Sequence, residues 1–201
     1  MNLNLNHCKV MNDFGLWFST GVQHITDLNG YDHILFVTLV VISFPISEWK
    51  KIVWLITGFT IGHSISLALS VLNFIHLQQY FTEIAIAFTI LGTGIFHAVN
   101  FRNSEPKNAK LLYFLIPLFG GIHGLGFSYL LRSMLGTAGD TALPLFYFNV
   151  GLEVGQLLIV AFVLLFSLLL TKVFHCQFKY FKLVISCIIC LVTLLLLIQR
   201  F

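Results

Sequence analysis

Charge is what this sequence has least of: Asp, Glu, Lys and Arg together make up 9% of its 201 residues. A water-facing surface ordinarily carries roughly a quarter to a third charged residues, so a soluble domain is excluded. The net charge of +3 is too thinly spread to bind a polyanion, and no nucleic-acid partner is expected. Cysteine is scarce too. Cys8, Cys176, Cys187 and Cys190 are too few and too scattered for a disulfide framework. Cys187 and Cys190 lie three apart in an apolar run, where packing is the expected role. No Walker-type Gly-Lys-Ser/Thr loop is present, which argues against an ATP-driven machine. Residues Met1 to Val10 are polar and hold no apolar core, so no cleavable signal peptide is expected.

What the chain has instead is hydrophobic length. Apolar residues make up 58%, and the mean hydropathy is +0.92. The class is therefore an all-α polytopic membrane protein. Crossings are expected at about Asp32 to Phe44, extending toward Trp49, then Ile52 to Phe74, Tyr80 to Phe101, Leu111 to Met134, Leu143 to Lys172 and Leu183 to Ile198. A helix needs about 20 residues to cross, and the first of these six is short. Asp32 is expected to be its N-cap. The preceding Phe14 to Leu28 segment either lies in the interface as an N-terminal helix or packs against the bundle. Residues 1–13 read as a polar tail and 14–201 as one transmembrane helical-bundle domain; the spans leave no room for a second domain.

Loop charges orient the spans. Lys50 and Lys51, then Arg102, Lys107 and Lys110, then Lys172, Lys179 and Lys182 fall in the connections after spans one, three and five. By the positive-inside rule that side is cytoplasmic, which puts both termini outside and the protein in the cytoplasmic (inner) membrane.

Against this background the intramembrane polar residues stand out: Asp32, His33, His63, Glu83, His97, His123, Asn149, Glu153 and Gln156. Ionisable side chains at membrane depth cost about 2.5–3.5 kcal/mol each on insertion scales and ordinarily mark an ion or substrate path. At ~1.5 Å per residue, His63 and His123 sit some 12–16 Å below the outer surface, with Glu83, Asn149 and Glu153 entering from that side. Asn149, Glu153 and Gln156 share one helix face by their i, i+4, i+7 spacing. His24 and Asp27, three apart, share a face if their segment is helical. His, Asp and Glu together suit borderline divalent metals, and such a set is stable in a low-dielectric layer only if a cation or a dense hydrogen-bond network holds it. His97 lies toward the inner end, as either an inner exit site or a structural residue. His7, His76 and His175 are expected to be solvated. Gly120, Gly121, Gly124 and Gly126 around His123 permit close helix approach or a local break.

Four segments, His24-Ile25-Thr26-Asp27-Leu28-Asn29-Gly30-Tyr31-Asp32-His33-Ile34-Leu35-Phe36, Phe59-Thr60-Ile61-Gly62-His63-Ser64, Gly121-Ile122-His123-Gly124-Leu125-Gly126-Phe127 and Asn149-Val150-Gly151-Leu152-Glu153-Val154-Gly155-Gln156, occur in the order found in the HupE/UreJ family. Over about residues 14–170 the chain resembles that family of small membrane proteins. The resemblance implies a nickel or cobalt permease connected with hydrogenase and urease maturation. It also implies His24, Asp32 and His33 as entry ligands, with His63, His123 and Glu153 deeper.

Two function classes follow. In the first, the protein is a divalent-metal transporter for nickel, cobalt or zinc, with His24, Asp32, His33, His63, Glu83, His123, Asn149 and Glu153 as the ligand set. Its transport is passive, potential-driven or proton-coupled, with Glu83 or Glu153 as proton carrier. In the second, a zinc held by His63, His123, Asp32 and a neighbouring carboxylate activates water to cleave a lipid or protein substrate, or the chain is a metal-binding accessory factor. The expected partners are the lipid bilayer, a divalent transition metal ion, and a second copy of the chain or an accessory protein.

Overall fold

The computed structural model describes residues 14–28, 30–75, 77–103, 109–135 and 141–200. The 1–13 tail with His7, and His76 and Lys107, lie outside the described residues. The described chain is helical without strands: α1 Phe14–Thr26, α2 Asp32–Val41, a 3-10 turn Ile46–Glu48, α3 Trp49–Val71, α4 Gln79–Val99, α5 Ala109–Leu135, α6 Ala142–Lys172 and α7 Phe178–Arg200. The last five helices are long and apolar enough to cross a membrane, and the chain is a polytopic membrane protein.

The first crossing differs from its expected form. With 10 residues, α2 is only ~15 Å long at 1.5 Å per residue, too short to span alone. It continues α1, whose 13 residues pack against the bundle rather than lying in the interface. Trp17, Gly21 and Ile25 of α1 are buried. A Cβ on Gly151 of α6 would run into the Phe18 backbone, one on Gly21 into the Phe148 carbonyl, and one on Gly155 into Ile25. Further along α6, Leu158, Ile159, Phe162 and Val163 face Ile34 and Thr38 of α2. Thus α1 and α2 follow α6 in one direction as a single broken crossing. The break falls where the sequence turns polar and glycine-containing, from Asp27 to Gly30, a composition that favours turns over helix. Tyr31, not Asp32, occupies the N-cap of α2, and Asp32 sits in its first turn. There a carboxylate interacts favourably with the helix dipole. Helix α2 ends short of Pro45, whose extended N-cap geometry starts the 3-10 turn.

The other helices alternate. Helix α3 runs antiparallel to α6, with Ser64 against Asn149 and Thr57 against Glu153, and parallel to α5, with Phe59 against Gly120 and His63 against Gly124. Helix α4 runs antiparallel to α5, with Thr89 beside His123 and Thr82 beside Gly126. It is also antiparallel to α7, with Leu91 at Cys190 and Gly94 near Ser186. One face of the bundle, the N face, therefore gathers the starts of α1, α4 and α6 and the ends of α3, α5 and α7. The opposite, basic face carries Lys50, Lys51, Arg102, Lys110, Lys172 and Lys179. Lys182 is an exception: it lies in the second turn of α7 and, at 1% exposure, is buried inside the bundle rather than presented on that face.

The closest contact in the bundle joins α3 to α5. Gly58 and Gly62 on α3 and Gly120 and Gly124 on α5 each form a four-residue small-residue repeat of the kind that lets membrane helices touch backbone to backbone. A Cβ on Gly62 would strike the Pro117 carbonyl, and one on Gly124 would strike the carbonyl of His63. Helix α5 stays helical through Pro117 and the glycines, so close approach, not a break, is what these glycines permit. At the N face, Arg132 fastens the same pair. Its guanidinium donates to Ser70 Oγ at 2.6 Å and Asn73 Oδ1 at 3.0 Å, where Asn73 takes the left-handed conformation, φ 65°, that ends α3. Gly62→Leu or Gly124→Leu is expected to lower stability by at least ~1–3 kcal/mol, the usual cost of overpacking. The check is thermal unfolding in detergent, with Gly92→Leu as control because a Cβ at Gly92 meets nothing within 4 Å.

Candidate metal centre

The α3–α5 contact sets His63 and His123 on neighbouring backbones, and the α1–α2 break turns His24 and His33 toward them. The ligand nitrogens of His24, His33 and His63 all lie within 4.8 Å of one another. Ring centroids are 4.7 Å apart for His24 and His33, 5.8 Å for His33 and His63, and 6.0 Å for His24 and His63. His123 stands behind, its ring 5.0 Å from that of His33. Thus four imidazoles from α1, α2, α3 and α5 form one cluster. His63 lies eight residues before the end of α3, ~12 Å below the N face.

These rings lack the hydrogen bonds that buried imidazoles normally make. Buried and without a partner are His24 Nε2, His33 Nε2, both nitrogens of His63 and Nδ1 of His123. An unsatisfied buried polar atom costs about 1–3 kcal/mol, so five in one place are a substantial burden. The tautomer of His123 follows from its one partner. Thr89 Oγ1 donates to the Ile86 carbonyl at 2.7 Å, so at 3.3 Å it accepts from His123 Nε2–H. That leaves the His123 Nδ1 lone pair for a ligand, the arrangement by which an outer partner fixes a metal-binding ring. Phe59 and Phe36 lie 5.2 Å from His123, and Phe127 lies tilted 3.7 Å from His24; these rings wall the site with apolar surface. Phe36 also stacks on Phe59 at 5.1 Å, closing the site on the side of the basic face.

Toward the N face the cluster borders a cavity through His24. This cavity of about 590 Å³ is lined by Gln23, His24, Thr26, Asp27, Phe127 and Met134, among others. Asp27 lies outside α1, so it does not share a helix face with His24, yet both line this vestibule.

The other expected site residues are elsewhere. Glu83 accepts from Gln79 Nε2 at 2.8 Å within the first turns of α4. Asp32 is half-buried beside His33. Asn149 and Glu153 face α3 on its other side. Ser64 Oγ donates to Asn149 Oδ1 at 2.7 Å and Thr57 Oγ1 to Glu153 Oε1 at 2.7 Å, while Thr60 contacts both Glu153 Oε2 and Gln156 Oε1. His97 belongs to a third place, near the basic face, where Ser43 Oγ lies 3.0 Å from its Nε2. Ser43 itself donates to the Leu39 carbonyl, so His97 donates and its Nδ1 is left buried without a partner. Sequence reading missed Thr89, Thr57 and Thr60. The last two were legible as a hydroxyl stripe, 57, 60 and 64, whose i, i+3, i+7 spacing keeps one helix face as the i, i+4, i+7 spacing of 149, 153 and 156 does.

The HupE / UreJ protein family model matches residues 2–200. The chain belongs to the HupE / UreJ family. Neither the curated proteins nor the solved structures include a match. In this HupE / UreJ chain the two His-containing glycine segments are the ones that bring α3 and α5 together. The first motif, from His24 to Phe36, is the one that folds as the broken crossing.

Proposed function

We propose that this HupE / UreJ protein moves a divalent transition metal, nickel or cobalt in keeping with the family and zinc by the same ligand chemistry, through the four-imidazole cluster. One observation carries the reading: His24, His33 and His63 each bring a ring nitrogen within 4.8 Å of the others beside a vestibule, and the cluster holds buried imidazole nitrogens without partners. Imidazole suits nickel, cobalt and zinc alike, and a metal would recover the cost of those nitrogens. His24, which lines the vestibule, meets the ion first, His33 and His63 each bring one ring nitrogen, and His123 is held ready by Thr89. Asp27 in the vestibule attracts a cation before it sheds water. Asp32, Glu83, Asn149 and Glu153, expected from sequence as ligands, take supporting places along the approach and beside α3.

The same cluster supports a zinc hydrolase less well. Such an enzyme needs a general base beside the metal-bound water, and the compact ligand group among the described residues is made of histidines alone. The deciding test is uptake: cells with His33→Ala plus His123→Ala are expected to accumulate less Ni²⁺ or Co²⁺, with the loss offset by raising external metal. Normal uptake with the protein present in the membrane would end the reading.

We further place the protein in the cytoplasmic membrane with the N face outside, because eight of the eleven Lys and Arg residues were assigned by sequence to alternate connections. Seven of the eight keep that place on the basic face or outside the described residues. In a cysteine-free background, Lys9→Cys is expected to react with an impermeant maleimide added outside the cell, and Lys50→Cys only after lysis. The reverse pattern would invert the topology.

A further inference from the structure

On the side of α3 away from the imidazoles, a second polar site lies between α3 and α6. Thr57, Thr60 and Ser64 face Asn149 and Glu153 along a groove of about 450 Å³ whose rim is Ile61, Ile65, Phe146 and Val154, and Gln156 lies behind it in contact with Thr60. The walls are apolar and the polar atoms are at the bottom. Gln156 is fully buried, and its Nε2 has no partner.

The hydrogen count of this cluster does not close. Thr60 has one hydroxyl proton, yet its Oγ1 contacts Glu153 Oε2, Gln156 Oε1 at 2.6 Å and the Ile56 carbonyl at 3.2 Å, all acceptors. A proton on Glu153 Oε2 resolves it: the carboxyl donates to Thr60, and Thr60 donates to Gln156. Turning the Gln156 amide over, an assignment open at any side-chain amide, also supplies the missing hydrogen. It leaves Glu153 ionised with hydroxyl donors alone around it. Either orientation calls for one positive charge. None of the neighbouring elements supplies it. Helix α3 presents Thr57, Thr60 and Ser64, with His63 turned to the other site. Helix α6 presents Asn149 and Gln156, and α1 covers Gly151 and Gly155 instead. Among the described residues no basic side chain pairs with Glu153.

We propose that Thr57, Thr60, Glu153 and Gln156 bind one monovalent cation, a proton or a sodium ion, at a site separate from the imidazole cluster, and that α3, which carries both sites, couples the two. The coupling clause rests on the transport reading; the binding site does not. The ladder from Asn149 and Ser64 to Thr57 begins about 10 Å below the N face and leads to the middle of the bundle, and an intramembrane carboxylate in such a ladder is the usual carrier of a coupling ion. Hydrogen-bond-length spacing between the oxygens fits a proton without rearrangement, whereas sodium requires them to separate.

The test uses the full chain in liposomes with Co²⁺ as the transported probe. With an inward pH or sodium gradient imposed, the wild type is expected to accumulate Co²⁺ against its own gradient. Glu153→Gln should reduce that accumulation by at least about 5-fold, the lower end of ordinary coupling between two sites, while calorimetry still shows Co²⁺ bound at the imidazole cluster. Thr60→Val, which keeps the carboxylate, should reduce it as well and serves if Glu153→Gln does not fold. Infrared difference spectra read the site without transport. A protonated-carboxyl band that responds to pH and is missing in Glu153→Gln marks a proton; a carboxylate shift on adding Na⁺ at constant pH marks sodium. Neither signal in the wild type, or gradient-driven accumulation unchanged in Glu153→Gln, would overturn the proposal. Should the wild type move no Co²⁺ under any gradient while the infrared signal persists, the transport reading falls and the cation site stands.

Discussion

Replacing His63 by alanine is expected to weaken Co²⁺ or Ni²⁺ binding by more than about 100-fold, because loss of an outer partner alone costs about 10–100-fold in metal sites and His63 is one of the three histidines whose ligand nitrogens lie within 4.8 Å of one another. Both of its nitrogens are buried without partners, so no internal hydrogen bond is lost with it. The Phe59 ring beside it, 6.3 Å away, has no donor or acceptor to take over. Thr89→Val should show the smaller, outer-partner effect, since it leaves all four imidazoles in place and removes only the oxygen that fixes the His123 tautomer. Calorimetric titration of the purified protein reads both. Equal, small effects would mean that the rings are packing residues. The two function classes separate on a different readout. Loss of a permease lowers cellular metal, and loss of a hydrolase leaves cellular metal unchanged while an uncleaved substrate builds up.

Much of this arrangement is legible in the residues. The class follows from charge scarcity and hydrophobic length, and the alternation of basic connections anticipates a bundle whose two ends meet at one face. His63 and His123 in one layer follow from depth counting alone, since a helix advances by a fixed rise; His33 joins them because α1 takes up the outer part of the first crossing. Rotation is another matter. Counting along α6 puts Asn149, Glu153 and Gln156 on one face, but whether that face meets the His63 side of α3 or the Thr57 side depends on how the helices turn about their axes. The small residues at the contacts decide that. Gly58 and Gly62 commit one side of α3 to α5, so the hydroxyl side is left for α6, and Glu153 is drawn away from the imidazoles. The broken first crossing was hidden for a related reason. Neither α1 nor α2 is long enough to register as a span, and only the packing of Gly21 against Phe148 and Gly151 against Phe18 reveals that they share one path. Lys182 was counted with the loop charges because it borders an apolar run; a long stem at the second turn of a helix can be buried where a shorter charged residue cannot.

If the imidazole cluster is built for an ion, its unpartnered nitrogens should also show themselves in stability. His63→Leu is expected to raise the thermal stability of the metal-free protein, by up to the ~1–3 kcal/mol that each unsatisfied buried polar atom costs, while abolishing stabilisation by added metal. The leucine fits a site walled by Phe36, Phe59 and Phe148, each fully buried, and brings no polar atom that needs a partner. In the wild type, by contrast, bound metal stabilises the fold by mass action, about 2.7 kcal/mol at a metal concentration 100 times the dissociation constant. The two melting curves should therefore cross. Without metal the variant melts higher, and at saturating Co²⁺ the wild type does. A histidine whose role is to join helices behaves the opposite way: its loss lowers stability with and without metal. His97 provides that comparison within the same chain, because its Nε2 donates to Ser43, and His97→Leu strands the hydroxyl oxygen that accepted it. If His63→Leu lowers the metal-free melting temperature as His97→Leu does, His63 is part of the scaffold and the imidazole cluster is not built for an ion.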